Sequence, residues 1–205
     1  MQELSNFFAL NQVRGGFYFN YFGEKMDKAI VVNIEKCLAC KSCEIACALV
    51  HSKSKVLEEA IAESPRPQRM VTVELADEFS VPLQCRHCED APCITVCPTE
   101  AIHRHTANDP VLIDRDKCIG CKFCLMVCPF GVIELSRDGK AVVKCDLCIE
   151  QTKAGEEPMC VASCPTGALQ FCELTELLTK RRHAAAKQAL AVATEAKKNC
   201  KRDKK

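Results

Sequence analysis

The chain has little of what usually builds a large hydrophobic core. Its 205 residues include no Trp, two Tyr and nine Phe, so aromatic side chains make up only 5% of the total. Core volume must come from aliphatic residues and from any bound group. The net charge is only +1, and no apolar stretch approaches the ~20 residues that a membrane helix needs. These absences disfavour a membrane-spanning protein and a nucleic-acid surface built from stacking aromatics.

Cysteine, by contrast, is abundant: the chain has 18, and sixteen of them form four groups of four. We number the groups as sets I to IV in chain order: Cys37, Cys40, Cys43 and Cys47; Cys85, Cys88, Cys93 and Cys97; Cys118, Cys121, Cys124 and Cys128; Cys145, Cys148, Cys160 and Cys164. Sets I and III read C-x2-C-x2-C-x3-C, the spacing of the bacterial run that binds [4Fe–4S] clusters. The pattern therefore predicts four cubane clusters, and clusters in series carry electrons.

The residue after the last cysteine supports this interpretation. Pro98, Pro129 and Pro165 follow sets II, III and IV, as proline does in the bacterial run. Set I has Ala48 there instead. Because proline would stop or redirect a helix, Ala48 predicts that the chain continues into one.

Disulfides and zinc are the alternative uses of so many cysteines. Disulfides are typical of secreted domains, but residues 1–26 contain no apolar region with a cleavage site. We therefore expect reduced thiols and a cytoplasmic protein. Structural zinc usually takes two C-x2-C pairs. Set IV alone could bind zinc in this way, whereas the close spacing in sets I and III favours a cubane.

The four sets indicate an internal duplication. Similar segments, VVNIEKC and LIDRDKC, lead into sets I and III, and sets II and IV end in CPTEAI and CPTGAL. In two-cluster ferredoxins the fourth cysteine of each set ligates the cluster of the other set. Two pairings are open on spacing alone: I with II and III with IV, or I with IV and II with III.

Between and after the sets, the residue pattern predicts short elements. They are a helix within 54–63, a strand pair at 69–75 and 79–85, a hairpin turning at 108–110, a hairpin turning at Asp138-Gly139, and a helix over 173–199.

The two ends of the chain differ from its centre. Seven of the eleven aromatic residues lie within the first 22 positions, and an exposed aromatic segment needs something to cover it. We interpret it as an arm that docks on another subunit or on a second copy, or that folds back on its own chain. Residues 173–205 hold ten basic and four acidic residues, which is typical of a solvated, partner-docking helix or of a surface for anions.

The four quartets, with the CRHCEDAPC run and the CDLC…CVASC gap, resemble the four-cluster iron–sulfur subunits of large redox enzymes. These subunits accompany molybdenum or tungsten enzymes of the dimethyl sulfoxide reductase and formate dehydrogenase type. The HSKS…PRP stretch is most similar to the branch associated with carbon monoxide dehydrogenase and tungsten aldehyde oxidoreductase. The resemblance covers residues 28–172.

This resemblance implies that sets I and IV pair, as do sets II and III. The implied ligand sets are Cys37, Cys40, Cys43 and Cys164 for cluster 1; Cys47, Cys145, Cys148 and Cys160 for cluster 2; Cys85, Cys88, Cys93 and Cys128 for cluster 3; and Cys97, Cys118, Cys121 and Cys124 for cluster 4.

The expected fold is α+β: two interleaved bacterial-ferredoxin-like dicluster modules with short hairpins and helices, plus a C-terminal helix. The expected parts are an aromatic arm (1–27), a four-cluster body (28–172) and a basic helix or tail (173–205). Within the body we expect one module at about 28–53 with 138–172, a second at about 80–137, and an insertion at 54–79.

The expected function is electron transfer without a catalytic site. A large catalytic redox subunit would be the partner, with a further accepting subunit or ferredoxin and possible self-association through the arm. A freestanding polyferredoxin and a self-associating wire are the alternatives. Apolar residues within the runs should shield the clusters from water: Leu38, Ile45, Ile94, Ile119, Val127 and Val161. His87, between two ligands, is interpreted as a surface residue rather than a donor to a cluster sulfur.

Overall fold

The computed structural model describes residues 28–106 and 109–202, with side chains described as far as residue 190. The aromatic arm lies outside the described residues. Its docking, and self-association through it, therefore stay predictions.

Short strands and helices alternate along the described chain. The strands are β1 (Lys28–Val32), β2 (Val71–Ala76), β3 (Phe79–Gln84), β4 (Ile102–His103), β5 (Leu112–Ile113), β6 (Glu134–Leu135), β7 (Val142–Val143) and β8 (Leu169–Glu173). The helices are α1 (Ser42–Val50), α2 (Leu57–Ala62), α3 (Pro92–Thr95), α4 (Phe123–Val127), α5 (Ile149–Lys153), α6 (Met159–Ala162) and α7 (Leu174–Arg202), with one 3-10 turn at Ile34–Lys36. The strands form four antiparallel pairs: β1–β8, β2–β3, β4–β5 and β6–β7.

One pair joins residues from opposite ends of the body. β1 and β8 pair from Lys28 opposite Glu173 to Val32 opposite Leu169, and α1 packs against α6. The core beneath them combines aliphatic residues such as Val32 and Leu169 with cysteines of sets I and IV. This strand pair therefore brings the first and last cysteine sets together.

A second core lies around sets II and III. β4 pairs with β5, and α3 packs against α4. Ile102, Val111 and Val142 are buried in this core, in contact with cysteines of sets II and III. The described body is thus a small mixed helix–strand fold with two separate cores, each of which contains thiols from two sets.

The β2–β3 hairpin spans the predicted boundary between the insertion (54–79), which contains β2, and the second module (about 80–137), which contains most of β3. The buried Val71 and Val73 add to the core of sets I and IV. The carboxylate of Glu44 on α1 accepts a hydrogen bond from the Val73 N–H at 2.7 Å and lies 3.3 Å from Nε of Arg69. These contacts attach the hairpin to α1.

Most of the predicted helices and strands are present in the structure. The helix within 54–63, the β2–β3 pair, the Asp138-Gly139 hairpin and the C-terminal helix are all present, and α1 continues through Ala48. β4 and β5 flank the predicted turn at 108–110, of which residue 108 lies outside the described residues. The module boundaries stay a prediction. Within the described chain no helix is both long and apolar enough to cross a bilayer.

Candidate iron–sulfur centres

All sixteen set cysteines are free thiols, and most are at least partly buried. The two exposed ones occupy matching positions, Cys40 in set I and Cys121 in set III. The described cysteines thus form no disulfide, and the disulfide alternative finds no support.

The thiol of Cys164 lies with the first three cysteines of set I. Burial, together with the charges of Glu44, Cys37 and Cys164, raises the pKa of Cys43 to about 11. Hydrogen bonds of Ser42 lower the pKa of Cys40, while the charge of Cys164 acts to raise it. Cys164 is thus a neighbour of Cys40 and Cys43 in space, and the ligand set of cluster 1 stays a prediction.

Cys47, the fourth cysteine of set I, lies instead with set IV. Burial, with the charges of Cys47, Cys148 and Cys43, raises the pKa of Cys160 far above its usual value. The charge of Cys47 also acts on Cys145 and Cys148. Set IV is therefore not a self-contained quartet, which weakens the zinc alternative.

Sets II and III exchange their fourth cysteines in the same way. Burial, with the charges of Cys85, Cys128 and Cys88, raises the pKa of Cys93 to about 11. A single cavity is lined by Cys97 of set II together with three thiols of set III, those of Cys118, Cys121 and Cys124. The last cysteine of each set thus lies with the first three of the other.

We call the thiols of the ligand sets implied for clusters 1 to 4 the first to fourth thiol groups. These groups are neighbours in space, one after the next. The charge of Cys43 acts on Cys160, which links the first and second groups. The charge of Cys85 acts on Cys145, which links the second and third. The third and fourth groups share one core. The neighbouring groups therefore form a continuous series.

Backbone geometry bends the chain around each group. Left-handed residues occupy matching positions in sets I and III, at Ala39 (φ 55°) and Lys41 (φ 59°), and at Gly120 (φ 65°) and Lys122 (φ 68°). Successive N–H groups in such turns form concavities that bind anions. Gly120 is also required sterically, because a Cβ there would lie 2.8 Å from the carbonyl oxygen of Lys140.

Backbone N–H groups also donate to ligand sulfurs. The Met70 N–H donates to Sγ of Cys47 at 3.2 Å, and the Leu147 N–H donates to Sγ of Cys145 at 3.4 Å. Such donors stabilise thiolates and tune the potential of a bound cluster. The Met70 contact places the residue just before β2 beside the thiol of Cys47.

The donor chemistry fits iron–sulfur clusters. Each group offers four soft sulfur ligands, and burial raises the pKa of several of these thiols. Buried thiols of this kind ionise when metal binds them, because the metal compensates the thiolate charge. When bound, a [4Fe–4S] cluster takes up or releases one electron.

Comparison with known proteins agrees with this geometry. Residues 76–174 match the 4Fe-4S dicluster domain family. The chain is 39% identical over 176 residues to the iron–sulfur protein of Rhodospirillum rubrum, covering 80% of this chain and 92% of that protein. It is 35% identical over 159 residues to the putative electron transport protein YsaA of Escherichia coli K12, covering 76% and 96%. The chain belongs to the same iron–sulfur protein family as these relatives.

A more distant relative in this family carries a subunit name. The iron–sulfur subunit of the nitrate-inducible formate dehydrogenase of Escherichia coli K12 is 29% identical over 167 residues, which cover 75% of this chain and 57% of that protein. The relatives of this chain thus include an iron–sulfur subunit of an oxidoreductase complex, and [4Fe–4S] clusters are the cofactor of a 4Fe-4S dicluster domain.

One partly buried polar pair in this protein was not predicted from the sequence. Nε2 of His51 lies 3.1 Å from the carboxylate of Asp146, which also accepts the Cys148 N–H at 2.9 Å. Nδ1 of His51 lies 2.7 Å from the carbonyl oxygen of Cys47. Burial opposes the charged imidazole, but hydrogen bonds with Asp146 and Cys47 raise the pKa of His51 to about 11. The pair joins residues 95 positions apart, so no local signal indicates it.

The interpretation of His87 as a surface residue is wrong. The side chain is only 5% exposed, and its Nδ1 accepts the Val111 N–H at 3.0 Å. The guanidinium of Arg104 donates to the carbonyl oxygens of His87 and Cys88, both at 2.8 Å. His87 is therefore part of the packed ligand loop of set II.

The predicted apolar shield is also wrong in part. Val161 is buried, and Ile94 and Val127 are half-buried. Leu38, Ile45 and Ile119 are instead 71%, 56% and 65% exposed. These exposed residues lie in sets I and III, the sets that also expose Cys40 and Cys121.

Proposed function

We propose that this chain is an electron-transfer subunit that relays electrons through four [4Fe–4S] clusters. The proposed ligands are Cys37, Cys40, Cys43 and Cys164; Cys47, Cys145, Cys148 and Cys160; Cys85, Cys88, Cys93 and Cys128; and Cys97, Cys118, Cys121 and Cys124.

One observation carries the relay: the thiol groups are neighbours in series. The interactions of Cys43 with Cys160 and of Cys85 with Cys145 link groups that would otherwise be isolated sites. A continuous series favours electron transfer over four independent structural centres. The exposed Cys40 and Cys121 lie in the two terminal groups.

The chain's own residues would bind, insulate and tune the clusters. Thiolates hold them, backbone N–H groups donate to the sulfurs, and the two cores exclude water. No general acid, base or nucleophile is needed for this role. Exposed apolar residues beside the terminal groups, such as Leu38 and Ile119, suit surfaces that partners cover.

The proposed partner is a catalytic oxidoreductase subunit with a metal-containing active site. Two relatives support a subunit role: the thiosulfate reductase electron transfer subunit PhsB of Salmonella typhi and a sulfite dehydrogenase subunit of Allochromatium vinosum. Within this class we propose either a tungsten or molybdenum oxidoreductase that acts on aldehydes or formate, or a carbon monoxide dehydrogenase. An external acceptor, ferredoxin or further subunit completes the path. The proposed compartment is the cytoplasm, because free thiols suit a reducing environment.

The decisive experiment is anoxic purification of the tagged full chain from its native cells, with mass spectrometry and iron analysis. We expect about sixteen iron atoms per chain and one large oxidoreductase subunit in stoichiometric amount. A chain that carries the iron but elutes alone and reduces many redox proteins equally is a freestanding carrier, and the subunit proposal fails. Fresh anoxic protein with far less iron contradicts the four clusters themselves.

Self-association is tested separately with a chain that lacks residues 1–25. An arm-driven wire predicts large particles for the full chain and small ones for the shortened chain in anoxic light scattering. Equal particle sizes reject association through the arm.

A further inference from the structure

A buried polar group lies where the second and third thiol groups meet. His87 is placed between Cys85 and Cys88 of the third group. The charges of Lys144 and Asp146, which flank Cys145 of the second group, both act on its imidazole. His87 is thus close to ligands of both central groups.

The hydrogen bond to Val111 determines which nitrogen of His87 carries the proton. A backbone N–H can only donate, so Nδ1 of His87 accepts the bond from Val111. An imidazole with an accepting Nδ1 is neutral and carries its proton on Nε2. Nε2–H is therefore a donor that points away from the Val111 contact.

This donor lacks a partner among the residues that the structure describes. Nε2 of His87 is buried and makes no hydrogen bond there. A buried donor without an acceptor costs about 1–3 kcal/mol, so proteins rarely keep one without a ligand or an ordered water to accept it. In this region the proposed clusters would supply acceptor sulfurs that the polypeptide does not.

Lys144 adds positive charge at the same place. It is 4% exposed, and its ammonium group donates to the carbonyl oxygen of Val111 and to that of Cys145, the latter at 3.0 Å. The backbone of Val111 thus binds His87 through its N–H and Lys144 through its C=O. One buried residue positions both side chains between the central groups.

We propose that His87 is a positioning residue whose Nε2–H donates to a sulfur of a central cluster, with Lys144 as the buried counter-charge. The inference rests on the proposed function, because it needs clusters at the second and third thiol groups. Reduction makes a cluster more negative, so a donor and a cation beside it stabilise the reduced form. The pair would raise the potential of the central clusters.

The test is an EPR-monitored redox titration of the anoxically purified full chain. In His87→Leu, which removes the donor and keeps an apolar side chain, the ratio of reduced to oxidised cluster at one central site should fall about tenfold at fixed potential, because the hydrogen bond is stronger to the more negative, reduced cluster by about this amount. For a one-electron couple this shift is about 59 mV. His87→Gln keeps an N–H donor and should restore part of the shift, and Lys144→Gln should also lower a central potential. The control His105→Leu, at an exposed position, should change nothing.

Iron analysis separates the two proposals. If the unaltered chain lacks four clusters, the proposed function fails. If it has them, and His87→Leu retains its iron with all four potentials unchanged, the role of His87 is refuted while the relay stands.

A spectroscopic readout covers the case in which His87→Leu loses iron. Pulsed EPR of reduced protein labelled with ¹⁵N-histidine detects imidazoles near a cluster, and Nδ1 of His51 also lies near a set cysteine, 3.9 Å from Sγ of Cys47. The measurement is therefore made in a His51→Gln background, where a weak nitrogen coupling to a cluster should remain and should vanish when His87→Gln is added. Absence of the coupling in His51→Gln, or its persistence in the double variant, overturns the proposal.

Discussion

The proposed exchange of fourth ligands between sets makes a prediction that paired cysteine variants test. Cys47 belongs to set I in sequence, yet its thiol lies beside those of set IV. Loss of Cys47 should therefore damage the same cluster as loss of Cys148, and not the cluster of Cys40. We consider replacement of each by alanine, singly and in pairs.

The magnitude follows from the iron stoichiometry. One cubane holds four of about sixteen iron atoms, so a variant that loses one cluster should retain about twelve. Cys47→Ala with Cys148→Ala should also retain about twelve, because both replacements affect one cluster. Cys40→Ala with Cys47→Ala should retain about eight, because they affect two. If each alanine variant keeps a three-iron remnant instead, the numbers change but the contrast in additivity stays.

The assay is iron and sulfide per chain in anoxically purified protein, with EPR to count the reduced clusters. The two double variants are matched controls for each other, since each contains Cys47→Ala. Additive loss for the Cys47–Cys148 pair, together with no extra loss for the Cys40–Cys47 pair, would mean that each quartet binds its own cluster. That result would refute the exchanged ligands.

Three further predictions concern backbone, tertiary contact and metal. Gly120→Ala should lose the fourth cluster, because a left-handed alanine costs about 1–2 kcal/mol and its Cβ would clash with the Lys140 carbonyl oxygen. The control Gly131→Ala should keep its iron, because Gly131 has a similar φ but no atom lies within 4 Å of the added Cβ. Glu44→Ala should speed amide hydrogen exchange in the β2–β3 hairpin by removing a charge-assisted acceptor of about 1.5–3 kcal/mol, while Glu58→Ala, exposed on α2, should not. Chelation of iron should abolish cooperative thermal unfolding seen by circular dichroism, because metal binding supplies folding energy; an unchanged transition would contradict a metal-dependent core.

Local elements could be predicted because their signals are local. The Asp138-Gly139 turn lies between short β-strand segments, and Gly139 adopts the positive φ of 70° that such a turn favours. The replacement of proline by Ala48 similarly indicated that α1 would continue. In both cases the deciding contacts are made within a few residues.

Burial and polar partners were not predictable in the same way. His87 was assigned to the surface because nothing near it in sequence indicates its contact with Val111, 24 positions away. Leu38 and Ile119 were expected to face inward because they are apolar, but the direction of a side chain depends on how the whole loop packs. The His51–Asp146 pair arises only because α1 and the start of set IV meet in space.

The sequence by itself determined the chemistry of this protein: sixteen cysteines at cluster spacing, two similar halves and membership of an iron–sulfur class. Spacing along the chain left two ways to pair the sets, because ligand intervals within a set carry no information about distances between sets. Only the tertiary structure, through the β1–β8 pair and the two separate cores, decided which thiols are neighbours. The physical reason is that strand pairing and burial bring together residues from opposite ends of the body, and these contacts are not encoded in any local pattern.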